Sequence, residues 1–401
     1  MSQNQRPAIS FGEFVGFIAA CMALNAMSID IMLPALPLLH ADFKLTDPNQ
    51  AQAVIAFFLF GTGVSQLFYG PFADRFGRRP VIIVGLALFV LAGILSTFAD
   101  SFATLLLARA LQGVGAGAPK VMAVSLARDR YSGVRMAKVM SLAMMIFMIV
   151  PVLAPSLGQL VLMLAPDWHW VFALLVLAGV ALMAWTITRL PETLAPENRL
   201  PLSPRAVYAA YRQTVTTRRS AGYMLALSLI IGAHMGFIYS AQQIFVDVFK
   251  AGRSFTVLFA AIALTTGLAA FVNSKLVRRF GMRRLSVSGL VAIVVINVFH
   301  LVLDLGGGES LLVFMLLQGA SVFTFGILAA NLNAMAMEPL GRIAGTASSV
   351  IGFVTTVVSA MIGLAIGHMF NGTVVPLIGA YVMLALGALA IAYYTEKPAA
   401  L

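Results

Sequence analysis

The stretch Gly70–Pro80, GPFADRFGRRP, lies between two long apolar runs, and its reading decides the rest of the chain. Asp74, Arg75, Arg78 and Arg79 are crowded together there, framed by Gly70, Gly77 and Pro80. Charges are costly in hydrocarbon, so the stretch predicts a polar membrane-surface loop joining two spanning helices. The glycines allow a tight turn and close helix ends, and Pro80 suits the first turn of the next helix. A loop that only fixed orientation would explain the arginines but neither Asp74 nor the glycine spacing.

Composition agrees. The 401 residues are 60% hydrophobic and 10% charged, against about 25% charged for a soluble domain. A soluble fold is excluded. At about 20 residues per span the length holds about a dozen helices with short loops. The hydrophobic pattern predicts helices at about 13–39, 50–72, 80–99, 102–126, 136–164 and 169–190. A polar connector follows, then helices at about 221–248, 255–275, 284–304, 309–334, 342–369 and 373–394. The fold class is therefore an all-α integral membrane protein of twelve spans. Cys21 is the only cysteine, so no internal disulfide forms. The N-terminus reads as a short polar tail entering a full-length span, with no cleavable signal.

Positive charge gives the orientation. Arg75, Arg78, Arg79, Arg128, Arg130 and Arg135 fall on the connections that share a side with both termini, as do Arg278, Arg279, Arg283 and Arg284. The opposite connections carry Lys44, Lys250 and Arg253 among several acids. Both termini are thus expected in the cytoplasm. The net charge of +11 is a topology signal, and nucleic acid is not an expected partner.

The connector 191–220 divides the chain into an N-terminal six-helix bundle, 1–190, and a C-terminal one, 221–401. Part of the opening stretch recurs beyond it. Arg279-Phe280-Gly281-Met282-Arg283 repeats Arg75-Phe76-Gly77-Arg78-Arg79, and Gly289 falls on Gly85 at the same offset. An offset of half the chain predicts two pseudo-symmetric six-helix bundles. Ser274 and Arg278 stand where Gly70 and Asp74 stood, so the second copy has lost the glycine–aspartate half.

Charges inside spans are the candidate functional residues, since each costs about 2.5–3.5 kcal/mol at mid-helix. Three qualify: Asp30 in helix 1, and Arg109 and Lys120 in helix 4. Asp30 and Arg109 lie at similar depth, roughly 10–14 Å below the outer surface, so a pair, direct or through water, is possible. Asp30 reads either as a structural partner for Arg109 or as a carboxyl that takes up and releases a proton. A buried carboxyl near an arginine is pulled between its charged and neutral forms, which suits a proton switch. Arg109, Gln112, Ala116 and Lys120 share one helix face. Lys120 either snorkels toward the cytoplasm or looks into a cavity, where two cations would favour an anionic or electron-rich substrate. Gly113, Gly115 and Gly117, near the opposite face, predict close helix packing. Pro151 and Pro155 predict a kink in helix 5, with Gly158 allowing close approach. His234, Tyr239, Asn331 and Asn333 are weaker cavity candidates. Neither a zinc-type His-Glu-x-x-His nor a phosphate-binding Gly-x-x-x-x-Gly-Lys-Ser/Thr occurs, which leaves an ATP-driven pump and a metal-dependent enzyme without support. No metal, cofactor or catalytic residue is expected.

Gly70-x-x-x-Asp74-Arg75-x-Gly77-Arg78-Arg79 resembles the signature loop of the major facilitator superfamily at every defined position. Leu105–Gly117 resembles the helix 4 motif of proton-driven exporters, and Ala154-Pro155-x-x-Gly158 resembles a degenerate antiporter motif. Asp30 with Leu33-Pro34-Ala35-Leu36-Pro37 is similar to the helix 1 signature of the Bcr/CflA group of drug:proton antiporters. Arg128-Asp129 and Leu190-Pro191-Glu192-Thr193 are similar to that group too. The resemblance implies a cavity between the halves, alternating access, and proton-driven export of amphipathic drugs by a monomer. It also implies a latch in which Asp74 bonds the start of helix 11 and an arginine ending helix 4, here Arg128. Met22 stands where some relatives carry a second acid, and Lys120 lies outside the signature. The expectation is a proton-coupled exporter, driven by the proton gradient. The rivals are an exporter of an endogenous metabolite or siderophore-like anion, and a non-transporting sensor on a transporter fold.

Overall fold

The computed structural model describes residues 9–165, 167–199, 203–306 and 308–396. The first span is α1, Phe11–Asp30, which continues through a 3-10 turn, Leu33–Ala35, into Leu36–Asp42. Next come α2, Ala53–Phe76, led by the 3-10 turn Pro48–Gln52, then α3, Arg78–Thr97, and α4, Phe102–Arg130. The fifth span, α5, is broken into Gly133–Phe147 and Val150–Leu164, and α6 is His169–Arg189. After a connector helix, Pro204–Thr216, come α7, Arg218–Gln243, which ends in a π turn, and α8, Phe255–Phe280. The last four are α9, Met282–Leu305; α10, Leu311–Met337; α11, Ala344–His368; and α12, Val375–Glu396.

Eleven of these helices are long and apolar enough to cross a membrane, and α4 is the exception. It has the length, but it carries Arg109, Gln112 and Lys120 among alanines and glycines. The least lipid-like helix is thus the one with the candidate site.

The chain forms two compact units, residues up to Phe43 with Phe57–Val207, and Lys44–Ala56 with Tyr208 onward. Within the first, α1 packs on α4, α5 and α6, and α3 packs on α4 and α6. Within the second, α7 packs on α10, α11 and α12, and α9 packs on α10 and α12. Each pairing recurs six helices later, as the offset repeat predicts. Segment 44–56 was not expected to join the second unit. Its Asn49 donates to the carbonyls of His368 and Phe370 and accepts from Gln243, while Gln52 donates to Gln243.

The expected loop at 70–80 is a single residue. Helix α2 runs to Phe76 and α3 begins at Arg78, so Gly70 and Asp74 are helical and Gly77 alone makes the turn, at φ +103°. Its repeat partner Gly281 has φ +77° and also separates two helices. Side chains rarely adopt this region, so glycine is required at both. A Cβ at Gly77 would also lie 2.5 Å from the Glu192 carboxylate.

Candidate functional site

In the N-terminal unit the site begins where α1 breaks. Asp30 is the last residue of α1, and Pro34 and Pro37 prevent a regular continuation. Ile31 N–H still donates to Met27, but Met32 N–H turns to Ile29. Ser28 O, the acceptor Met32 would use in a continuous helix, instead receives Arg109 Nη2 at 2.8 Å. The break and the arginine therefore satisfy one another.

Arg109 is fully buried. Its Nη1 donates to Gln112 Oε1 at 2.7 Å, and its guanidinium lies 4.4 Å from the Phe58 ring centre and 5.6 Å from that of Phe172. Aromatic faces, a side-chain amide and a backbone carbonyl share in dispersing its charge. The direct Asp30–Arg109 ion pair allowed by the sequence does not form. Asp30 is 4% exposed, and no hydrogen bond or ion pair engages its carboxyl among the described residues. Arg109 is held two residues away, on the Ser28 backbone.

Close packing fixes this geometry. A Cβ on Gly113 would lie 2.0 Å from Phe58 O, and one on Gly61 would lie 1.9 Å from Ala110 O, so α2 and α4 touch backbone to backbone. Thr62 Oγ1 stands 3.1 Å from Gly113 O and accepts from Asn25 Nδ2, tying α1, α2 and α4 together. On the other side of α1, Gly158 faces the break: its Cβ would lie 2.3 Å from Ile31 O and 3.0 Å from Pro34 Cγ. Pro151 opens the second piece of α5 and Pro155 lies inside it, so the predicted kink is a break at residues 148–149. Lys120 is half-buried, with no hydrogen bond or ion pair among the described residues.

In the C-terminal unit, His234 stacks on Phe325 at 4.1 Å between ring centres, and its Nδ1 has no hydrogen-bond partner. Tyr239 is fully buried, its hydroxyl without a hydrogen-bond partner among the described residues. Asn331 donates to Asn273 at 2.8 Å, which makes it helix-to-helix glue. Asn333 is exposed, two positions further on, where the helix presents another face. Sequence reasoning missed a pair here. His300 Nε2 lies 2.8 Å from Glu309 Oε1, the two side chains 0% and 2% exposed. Glu309 belongs to the short connection before α10, and the fold turns it inward.

The arginine-rich end of the N-terminal unit holds a network around Arg78, which is 3% exposed. Its Nη1 meets Asp74 Oδ1 at 2.6 Å and its Nε meets Asp129 Oδ2 at 2.9 Å. Glu192 accepts from the backbone N–H groups of Arg78 and Arg79, capping α3 with a carboxylate. Arg79 Nη2 donates to Ile187 O, and Arg75 is exposed. The residue expected to hold Asp74 was Arg128, but Arg128 lies 4.0 Å from Asp129 with half its side chain exposed. Arg78, one turn beyond Asp74, reaches it first.

Among the described residues, spanning helices in two repeated units with ionisable side chains buried inside them have the architecture of a membrane transport protein. The chain belongs to the Major Facilitator Superfamily, whose match covers residues 18–364. It is 28% identical over 388 residues to the bicyclomycin resistance protein homolog of Haemophilus influenzae, with 95% of each chain covered. It is 30% identical to multidrug resistance protein D of Escherichia coli, with 82% of each covered. These similarities agree with the Bcr/CflA-type resemblance. A crystal structure of the human organic anion transporter MFSD10 shares the fold, with TM-score 0.71 at 18% identity, covering 98% of this chain and all of that one.

Proposed function

We propose that the chain is a proton-coupled exporter of amphipathic small molecules in the bacterial inner membrane, an antiporter working by alternating access. The observation that carries this reading is Asp30: an acid buried at a helix break, with no ionic partner and an arginine anchored two residues away. A buried acid without a partner is costly unless it changes protonation state during the working cycle. Asp30 is the coupling carboxyl and Arg109 its modulator. Gln112 and Lys120 share the Arg109 face as substrate contacts in the N-terminal unit. The Arg78 network, with Asp74, Asp129 and Glu192, is the conformational latch. The energy source is the proton gradient, with no cofactor, and the protein acts as a monomer. The arginine-rich face is cytoplasmic, with both termini on that side. The drug-resistance names of the relatives support the substrate class.

The test uses purified protein in liposomes under an imposed pH gradient, with neutral, cationic and anionic amphiphiles. Wild type should export in step with the gradient. Asp30→Asn should abolish coupled export while ligand binding persists. Gradient-independent movement that survives Asp30→Asn would defeat the coupling assignment. Half-buried Lys120 favours a second reading, export of an endogenous anion. In that case Lys120→Ala should remove transport of the anionic probes alone.

A further inference from the structure

At the arginine-rich end of the C-terminal unit a cavity of about 770 Å³ opens among α7, α9, α10 and α12. A second hollow of about 670 Å³ adjoins it around the start of α9, sharing Arg283 and Val287. In the first turn of α9, exposed Arg283 lines both hollows and exposed Arg284 lines the second. The inner wall includes Ser286, 2% exposed, whose Oγ is buried with no hydrogen-bond partner. Val287 and Leu386 supply apolar sides, and Tyr393 stands exposed on the lining.

The internal repeat says what is missing. In the N-terminal unit the first turn of α3 is capped by the Glu192 carboxylate, on Arg78 N and Arg79 N. Their repeat partners are Met282 and Arg283, and α9 has no side-chain cap. Glu396, the acid on this lining, does not cap α9: it takes Arg219 at 3.1 Å and the Tyr223 hydroxyl at 2.5 Å, and it pairs with Arg283 at 3.6 Å, leaving Arg284 as the guanidinium with no ion pair among the described residues. A helix N-terminus, the Arg283 guanidinium and a buried hydroxyl with no hydrogen-bond partner among the described residues thus stand beside an apolar groove, with Arg284 in the adjoining hollow.

We propose that this groove binds an anionic diacyl phospholipid from the leaflet at the arginine-rich face. The headgroup phosphate takes the position that Glu192 occupies in the other repeat, against the first-turn amides of α9, Arg283, Arg284 and Ser286. The acyl chains lie along Val287 and Leu386. Tyr393, amphipathic and exposed, suits the membrane interface, and the apolar walls favour a lipid over a free anion. The site rests on the membrane-spanning fold and is independent of the transport reading.

Native mass spectrometry of the full chain in detergent tests this, with phosphatidylglycerol, phosphatidylcholine and inorganic phosphate as probes. Wild type should retain phosphatidylglycerol over phosphatidylcholine, and phosphate should not displace it. At about 1 kcal/mol per basic residue, the pair Arg283→Gln and Arg284→Gln should weaken retention about thirtyfold. Ser286→Ala should weaken it roughly fivefold. Arg75→Gln with Arg128→Gln, on the corresponding end of the other unit, should leave retention unchanged. Equal retention of both lipids, no loss in the double variant, or an equal loss in the Arg75/Arg128 control would overturn the proposal. Displacement by phosphate would also overturn it, pointing to a free-anion site.

Discussion

Gly158→Ala tests whether α5 sets the geometry of the α1 break. The added Cβ would lie 2.3 Å from Ile31 O, 3.0 Å from Pro34 Cγ and 3.2 Å from Ile31 Cγ1. An ordinary carbon–oxygen contact is about 1 Å longer than the first of these, and its partner is backbone, which no rotamer change can clear. The two helices must therefore separate by about 1 Å at the residue that follows Asp30. Overpacking of this kind costs about 1–3 kcal/mol. The expected outcome is a lower melting temperature in detergent and impaired proton-coupled transport in liposomes, read with an internal pH dye. The control is Gly379→Ala in α12, where a Cβ meets nothing within 4 Å. It should leave both readouts at wild-type level. Wild-type melting and transport in Gly158→Ala would refute the claim that this contact holds the break in place.

Other perturbations follow from the same geometry. Asp30→Asn should uncouple transport from the pH gradient with binding retained, checked by paired flux and binding measurements. Arg78→Gln removes the partner of Asp74, whose side chain is 41% exposed, and of part-buried Asp129, and should cost about 1–3 kcal/mol, below the full buried-pair penalty because water still reaches Asp74; a melting temperature equal to wild type would contradict this. Glu309→Ala leaves His300 buried without its partner and should destabilise, whereas an apolar replacement of both, His300→Phe with Glu309→Met, should restore most of the loss. A double variant less stable than Glu309→Ala would show that the pair holds the outer end of the bundle. Gly77→Ala meets both a left-handed φ and the Glu192 carboxylate, and should lower stability by more than Gly281→Ala, which has the φ but nothing within 4 Å.

Residue types along the chain determined the class of this protein. Apolar runs of spanning length, arginines gathered on alternate connections and a half-chain offset between Gly77 and Gly281 point to an all-helical, two-bundle membrane fold, because an apolar run of about 20 residues satisfies its own backbone in hydrocarbon only as a helix. The same cost made Asp30, Arg109 and Lys120 conspicuous. Partners were not legible, because they depend on distances across helices that sequence spacing does not carry. The similar depth of Arg109 and Asp30 allows a pair, direct or through water, yet the α1 break frees Ser28 O and gives the guanidinium a backbone acceptor. Asp74 looked bound for Arg128, yet the one-residue turn at Gly77 brings Arg78 a helical turn away, between Asp74 and Asp129. Glu192 read as a family letter, and only the fold makes it the cap of α3. The sequence by itself settled what must be buried in lipid. Tertiary packing decided which buried polar group answers which, since each must find a partner where water cannot supply one.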